Sequence, residues 1–276
     1  MRLCAFADEV SSQIQRQIDA MTRNEIGLLE IRGIERQNIK DITVEKAKEV
    51  RQRFGDAGLA IWSMGSPIGK VTIDGDFEAH LDDHKRIMEL ADILGTKRIR
   101  MFSFYNSKEN PVSAEAFEDK AMEMMRRLCD ITPADFILCH ENEKHIYGEN
   151  PENCLKLIRE FPRLRMIFDP ANYVQCDVDT LAAWEMTKEY VDYMHIKDAK
   201  ADGKVVPAGM GIGNVGAIVR DFLARGGEVL SVEPHLREFV GLAQLENGES
   251  LSHEIAYRDS DEAFDAAVNA LKGLLA

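Results

Sequence analysis

Several protein classes are excluded by what this sequence lacks. It has five cysteines among 276 residues, an odd number, and no CxxC pair. This usage argues against a disulfide framework and favours free thiols in a reducing compartment. No apolar run approaches the ~20 residues of a membrane-spanning helix. The first ten residues, MRLCAFADEV, turn acidic without the apolar core of a signal peptide. We therefore expect a soluble cytoplasmic protein with no membrane partner.

Positive charge is also scarce. Lys and Arg number 34 against 48 Asp and Glu, which gives a formal net charge of −14. Proteins that bind nucleic acid usually carry a basic surface for the phosphate backbone, so we expect no nucleic-acid partner. Hydrophobic residues make up 45% of the chain, which is enough for a packed core and argues against disorder.

Strand and helix signals alternate along the chain. Short apolar runs predict strands at 3–7, 26–32, 58–64, 97–103, 136–141, 164–169, 191–197 and 228–233. Helices are predicted to follow them, the first from a cap at Ser11 or Ser12 and the last from a cap at Ser260. The other predicted helices are 43–55, 78–94, 113–128, 151–160, 179–189 and 215–225.

Eight strand–helix repeats in a chain of this length predict the α/β class, as a single (β/α)8 TIM barrel over residues 1–276. A doubly wound open sheet is the rival fold, but no glycine fingerprint opens the first helix. The polar stretch 236–259 is interpreted as a lid, a subunit contact or a surface excursion.

Four of the predicted strands end on a metal-ligand side chain. The runs FILCHE, MIFD, VDYMH and VLSVE end at Glu141, Asp169, His195 and Glu233. In a parallel barrel the strand ends meet at one face, so these side chains should converge. Three oxygens and one nitrogen are a ligand set for a divalent cation. We expect Mn²⁺ or Mg²⁺, with Zn²⁺ as the third choice.

Strand parity supports this convergence, because side chains two residues apart share a face. Glu141 shares its face with Cys139, and Glu233 shares its face with Ser231. The side chains that fill the barrel interior are then apolar or small, and charged side chains occur only at the carboxyl ends of the strands. Converging carboxylates repel one another unless a cation lies between them.

These residues belong to motifs that resemble the xylose-isomerase-like barrel superfamily, and within it the sugar phosphate isomerase/epimerase branch that includes epimerases of 3-keto sugars. The matching motifs are FADEV (6–10), LLEIRG (28–33), GSPIGK (65–70), IRMFSFY (99–105), HENEKHIYG (140–148), FDPAN (168–172), HIKDA (195–199), PAG (207–209) and EPHL (233–236). They cover nearly the whole chain and identify the branch better than the substrate.

The resemblance implies a metal site, usually for Mn²⁺, at the four strand-end residues. It also implies substrate contacts from Glu30, Lys70, Asn172, Lys197 and His235. Met210 departs from the pattern, since relatives often carry an acidic residue after PAG. If the acidic residue contacts substrate in those relatives, Met210 changes the substrate specificity or the activity of this protein.

Other residues are interpreted from their positions. Lys197 and His235 each lie two residues beyond a metal-ligand candidate and should face the same pocket; His235 is the candidate neutral acid or base. Glu30 and Arg32 share a parity at the end of a predicted strand; Glu30 is a candidate for binding substrate hydroxyls or for acid/base chemistry, or else the two form an ion pair at the rim. Lys70 and His145 lie in loops from which they could reach substrate.

The remaining candidates have plainer interpretations. His140 has the parity of a packed histidine, and Trp62 that of a core residue. Three further histidines, His80, His84 and His253, are expected at the surface. The segment GMGIGNV (209–215) resembles a phosphate-cradling loop, or else is a flexible loop.

The function predicted from this sequence is a metal-dependent sugar isomerase or epimerase. It would transfer a proton next to the carbonyl of a keto sugar or keto glycoside, with Glu141 and Glu233 exchanging protons on opposite faces. A lyase or dehydratase acting through the same enediolate is the main alternative. A DNA-repair endonuclease and an inactive sugar-binding barrel are further alternatives. We expect a small sugar as the partner, and a homodimer or homotetramer is an open interpretation.

Overall fold

The protein, described here from a computed structural model over residues 1–242 and 255–276, contains a closed barrel of eight parallel strands. The strands are β1 (Arg2–Ala5), β2 (Leu28–Ile31), β3 (Ala60–Met64), β4 (Arg98–Met101), β5 (Ile137–Glu141), β6 (Arg165–Phe168), β7 (Val191–Ile196) and β8 (Val229–Val232). Each strand pairs with its neighbours in sequence, and β1 closes the barrel against β8. The prediction of an eight-stranded barrel is confirmed, with each strand slightly shorter than its apolar run.

Helices surround the barrel and join consecutive strands. They are α1 (Ile14–Arg23), α2 (Val44–Asp56), α3 (Phe77–Leu94), α4 (Ala114–Ile131), α5 (Pro151–Glu160), α6 (Pro170–Gln175), α7 (Thr180–Thr187), α8 (Val215–Ala224) and α9 (Ser260–Leu275). No helix among the residues described has both the length and the apolar character needed to cross a bilayer. The short helix α6 was not predicted.

Two predicted helix caps are wrong by one or two residues. The cap of α1 is Gln13, and Ser11 instead accepts the Gln13 N–H one step earlier. The cap of α9 is Asp259, whose carboxylate accepts the N–H of Glu262. An aspartate is as good an N-cap as a serine, so the local sequence offered two equivalent starts.

The interior of the barrel is a small apolar cluster separate from the larger core between strands and helices. Its buried members are Cys4, Leu28, Cys139, Ile167, Tyr193 and Val229, with Trp62 and Ile137 packed against them. The predicted strand parity is therefore confirmed, and Trp62, which was expected in the core, packs against this cluster while only partly buried. This filled interior closes the barrel from below, so polar chemistry is restricted to the carboxyl ends of the strands.

The polar stretch 236–259 is described at both ends. Arg237 donates a hydrogen bond to the carbonyl of Tyr257, which ties its two ends together. Phe239 lies over the guanidinium of Arg32, 4.5 Å from the ring centroid. Residues 243–254, including His253, lie outside the described residues, so the interpretations of this stretch remain predictions.

Two histidines expected at the surface are buried instead. His84 is fully buried, and its Nε2 lies 2.8 Å from Thr132 Oγ1. His80 is 5% exposed, and its Nε2 accepts the N–H of Gly69. Both belong to the inward face of α3, where the helix packs on the barrel. The polar composition of the segment HLDDH (80–84) had suggested an exposed helix face, and so both histidines were wrongly expected at the surface.

The burial of His84 predicts a pH-dependent stability. Burial lowers the pKa of His84 to about 4, whereas an unfolded histidine titrates near 6.5. The unfolded chain therefore binds this proton first, and the folded state loses stability as pH falls from about 6.5 to 4, by on the order of 3 kcal/mol. We expect His84→Gln to flatten this dependence, measured as the urea unfolding free energy between pH 7.5 and 4.5. Equal slopes for both proteins would contradict the assignment.

Candidate metal centre

Four side chains predicted as metal ligands meet at the carboxyl end of the barrel. Glu141 is the last residue of β5, Asp169 follows β6, His195 lies in β7 and Glu233 follows β8. All four are buried, and one ligand atom from each lies within 4.8 Å of the others. The structure therefore brings together the whole predicted set.

The imidazole of His195 lies between two of the carboxylates. Its Nδ1 is 2.9 Å from Glu141 Oε1 and 3.5 Å from Glu233 Oε2. The ammonium of Lys197 lies between Asp169 and Glu233, with Nζ 2.7 Å from Asp169 Oδ2 and 2.6 Å from Glu233 Oε2. Lys197 thus faces the same pocket as His195, as its parity predicted.

These residues fit a divalent cation. Three carboxylates and one imidazole are a donor set for Mn²⁺, Mg²⁺ or Zn²⁺. Buried carboxylates this close require positive charge, and Lys197 Nζ already takes a cationic position between Asp169 and Glu233. Glu141, Asp169, His195 and Glu233 would hold the ion, and the donor set does not distinguish among these metals.

Glu30 orients the imidazole from below. Its Oε2 lies 3.0 Å from His195 Nε2 and accepts from Ser231, while its Oε1 accepts from the hydroxyl of Tyr193. A proton on Nε2, held by Glu30, leaves Nδ1 as the nitrogen directed at the centre. This is the arrangement by which a carboxylate behind a histidine orients it toward a metal. Glu30 was predicted to contact substrate, and the structure surrounds both its oxygens with protein donors.

Asparagines fix the other side of the centre. Asn142 exchanges two hydrogen bonds of 2.9 Å with the backbone of Asp169, which locks the end of β5 to the end of β6. Asn172 donates from Nδ2 to Glu141 Oε1 at 3.3 Å, and its N–H donates to Asp169 Oδ1. Asn172 therefore lies at the centre, as the family motif implied.

The charges at the centre shift one another's protonation. Burial raises the pKa of Glu141, but His195 and Arg100 outweigh it and lower that pKa to about 2. At Asp169 burial dominates and raises the pKa to about 7 in spite of Lys197. Burial lowers the pKa of His195, but Glu141, Glu30 and Glu233 raise it well above its usual value. A cation at Nδ1 has to displace this proton, so cation binding weakens as pH falls.

Two arginines join the centre that were not among the predicted site residues. Arg100 Nη1 lies 3.2 Å from Glu141 Oε2 and 3.5 Å from Glu233 Oε1. Arg32 Nη1 lies 3.0 Å from Glu233 Oε1. Arg100 had a weak sequence signal, since it lies in the middle of the predicted strand 97–103. Arg32 had been interpreted as part of a rim ion pair, without Glu233 as its partner.

Three further predicted residues lie at different depths. His235 is 4% exposed, with Nδ1 3.8 Å from Glu233 Oε2. Lys70 forms an ion pair of 3.0 Å with Glu143, two residues beyond the metal-ligand candidate Glu141. His145 is at the surface, and its N–H donates to Glu149. Of these three, His235 lies beside the centre, and the substrate contacts of all three stay predictions.

The glycine loop after β7 does not cradle a phosphate, so that interpretation is wrong. The N–H groups of Gly209, Gly211 and Gly213 all donate to the carboxylate of Asp198, at 2.8–3.0 Å. A Cβ on Gly211 would come within 2.3 Å of Asp198 Oδ1, which explains the small residue there. Met210 lies on this loop and is 47% exposed.

The fold and site define a (β/α)8 barrel with a carboxylate–histidine centre suited to a divalent metal. The model of the xylose isomerase-like TIM barrel family matches residues 25–260, and the chain belongs to that family. No curated protein matches the sequence.

Three solved structures show the same fold at low sequence identity. A probable 3-DHS dehydratase, AsbF from Bacillus anthracis, has a TM-score of 0.74 at 15% identity and covers 99% of each chain. L-ribulose 3-epimerase has a TM-score of 0.74 at 16% identity, over 99% of this chain and 93% of that one. The IolI protein with a bound zinc atom has a TM-score of 0.73 at 14% identity, over 100% and 98%. The barrel is thus shared by enzymes of different reaction types.

The contact between Glu30 and His195 predicts an effect on metal affinity. We expect Glu30→Gln to weaken Mn²⁺ binding by about 10- to 100-fold. The glutamine amide is uncharged and has only one acceptor oxygen, so it orients the imidazole of His195 less firmly. Calorimetric titration of purified protein measures this change. Glu25→Gln is the matched control, since Glu25 is 88% exposed and lies just before the other end of β2. Unchanged affinity in Glu30→Gln would contradict the orienting role.

Proposed function

We propose that the protein is a metal-dependent sugar isomerase or epimerase that transfers a proton next to the carbonyl of a keto sugar or keto glycoside. The observation that carries this proposal is the buried convergence of Glu141, Asp169, His195 and Glu233. A bound divalent ion would supply Lewis-acid polarisation of a carbonyl and a neighbouring hydroxyl.

Glu141 and Glu233 are the proposed proton carriers. The guanidinium of Arg100 lies within 3.5 Å of an oxygen of each and favours their ionised forms. Both carboxylates can therefore act as bases at neutral pH. Removal of a proton by one and its return by the other, from the opposite face, inverts the carbon. Return to the neighbouring carbon moves the carbonyl instead.

Lys197 and His235 are proposed to handle charge and protons on the substrate oxygens. The ammonium of Lys197 lies between Asp169 and Glu233, where it can stabilise a developing oxyanion. Burial lowers the pKa of His235 well below its usual value, so the imidazole is neutral. Neither of its ring nitrogens has a hydrogen-bond partner within residues 1–242 and 255–276. A neutral imidazole with both nitrogens unpaired can donate to one substrate oxygen and accept from another.

A cavity of about 430 Å³ is lined by Lys70 and by Arg32, which contacts Glu233, and its size suits a small organic substrate. Ile34, Pro67 and Val240 contribute apolar surface to this cavity. Small-molecule sites commonly have volumes in this range. The volume leaves both a free keto sugar and a keto glycoside as proposed substrates.

The lyase or dehydratase alternative is favoured by one observation, the position of His235, whose ring nitrogens have no hydrogen-bond partner within the described residues. Elimination from an enediolate needs a proton for the departing hydroxyl or aglycone. His235 would donate it only after taking up a proton itself, and Glu233, which would carry the proton removed from the substrate carbon, lies 3.8 Å from its Nδ1. An unsaturated product, detected by its ultraviolet absorbance, would support this alternative. His235→Gln should then slow elimination more than it slows exchange of the substrate proton.

Solvent deuterium tests the proposed proton transfer. Incubation of Mn²⁺-loaded protein with keto sugars and a methyl keto glycoside in D₂O should place deuterium on the carbon that changes configuration or oxidation level. Addition of a chelator should stop both turnover and exchange. Turnover that leaves substrate and product free of deuterium would exclude the proposal.

Replacement of Glu233 tests its role in the same reaction. Glu233→Gln should lower kcat by about 10²- to 10⁴-fold, the usual contribution of a general acid or base. Glu228→Gln is the matched control, because Glu228 lies just before β8, at the opposite end of the barrel, and is 71% exposed. Full activity in Glu233→Gln would show that the proton is carried elsewhere.

The partner expectations stay proposals. A small sugar is the proposed substrate, and nucleic acid is not a proposed partner because the chain carries a net charge of −14. Size-exclusion chromatography with light scattering would distinguish a homodimer from a homotetramer.

A further inference from the structure

One guanidinium connects three of the sequence motifs, FADEV, LLEIRG and EPHL. We propose that Arg32 is a positioning residue, which sets the orientation of Glu233 and of His235 at the metal centre. The proposal rests on the proposed function in so far as Glu233 is a metal ligand and proton carrier.

Arg32 uses its donors on three carboxylates at once. Nε and Nη2 donate to the two oxygens of Asp8 at 2.9 and 3.0 Å. Nη2 also donates to Glu9 Oε1 at 3.1 Å, and Nη1 donates to Glu233 Oε1 at 3.0 Å. The bidentate pair with Asp8 fixes the plane of the guanidinium. Nη1 therefore reaches Glu233 from a fixed direction.

Aromatic rings hold the same guanidinium on both sides. Its carbon lies 4.4 Å from the ring centroid of Phe6 and 4.5 Å from that of Phe239. Arg32 is 3% exposed, so its interactions are little screened by water. Lysine at this position could supply the charge, but it has no planar fork and no flat face to stack.

The consequence for Glu233 is that its two oxygens have different tasks. Oε1 is held by Arg32 at 3.0 Å and approached by Arg100 at 3.5 Å. Oε2 is turned to the centre, 2.6 Å from Lys197 Nζ and 3.5 Å from His195 Nδ1. Arg32 thus determines which carboxylate oxygen is presented to a cation or a substrate proton.

The consequence for His235 passes through Glu9. Glu9 is held by Arg32 through Oε1, and its Oε2 accepts the backbone N–H of His235 at 2.6 Å. His235 has a φ of +46°, a conformation that is costly for a residue with a Cβ. The hydrogen bond to Glu9 stabilises this conformation. The turn places the imidazole beside Glu233.

The same contacts of Arg32 argue against a second cation between Glu9, Glu233 and His235. Glu9, Glu233 and His235 offer ligand atoms within 4.8 Å of one another. Arg32 already lies 3.0–3.1 Å from both carboxylates and supplies the positive charge that they need. The group is therefore a support for one metal centre.

Mn²⁺ affinity, measured by calorimetry on the full chain, tests the proposal. Arg32→Lys should weaken Mn²⁺ binding by about 10- to 100-fold, the usual effect of disturbing a residue that orients a metal ligand. Arg98→Lys is the matched control. Arg98 also pairs with an aspartate, Asp192 at 2.6 Å, and lies 3.9 Å from the ring centroid of Trp62, but at the opposite end of the barrel. It should lower the melting temperature and leave Mn²⁺ affinity within about 2-fold.

A second variant keeps the test valid if Arg32→Lys does not fold. Phe239 is partly exposed, so Phe239→Leu should fold while it removes one of the two rings that hold the guanidinium. We expect weaker Mn²⁺ binding by about 3-fold or more and a lower kcat at nearly unchanged KM. Wild-type Mn²⁺ affinity in this variant would overturn the proposal.

Two further outcomes would also be decisive. Wild-type affinity in folded Arg32→Lys, or an equal loss in Arg98→Lys, would reduce Arg32 to a structural ion pair and overturn the proposal. Wild-type protein that binds Mn²⁺ but turns over no keto sugar would overturn the proposed function alone. The affinity ratio between the two lysine variants would still support the positioning role.

Discussion

Balance of buried charge at the carboxyl end of the barrel is the constraint on which the rest of this structure depends. Strand ends direct Glu141, Asp169 and Glu233 to one point, where water cannot solvate them. Carboxylates in such a place are stable only beside positive charge. Lys197 and Arg100 provide part of that charge, and a divalent cation would provide the remainder.

The supporting residues are arranged so that each ligand has one orientation. Glu30 lies below His195, Asn142 locks Asp169 to the neighbouring strand, and Arg32 holds one oxygen of Glu233. Contacts of this kind orient the side chains that bind a metal. The same barrel serves an epimerase and a probable dehydratase among its structural neighbours. The fold therefore does not decide the reaction, and among the residues around the candidate metal centre His235 is the one with two unpaired ring nitrogens in the described part of the chain.

Prediction from sequence succeeded where periodicity and chain order carry the information, and failed where spatial neighbours decide. Short apolar runs, separated by segments of helical periodicity, predicted all eight strands, because both patterns are local in the sequence. The surface assignment of His84 failed, because a helix face is polar or buried according to what packs against it. The phosphate interpretation of the loop 209–215 failed because the donors of a glycine loop can be taken by an acid from elsewhere in the chain, here Asp198.

The sequence by itself determined the barrel, the inward parity of its strands and the candidate ligand residues at their ends, since each is encoded by local pattern and by the repeated order of strands. Only the tertiary structure decided which charged side chains pair with the carboxylates of the centre. Arg32 lies 201 residues from Glu233 along the chain, and Glu9 lies 226 residues from His235. Contacts at such separation depend on closure of β1 against β8, and no local pattern carries that information.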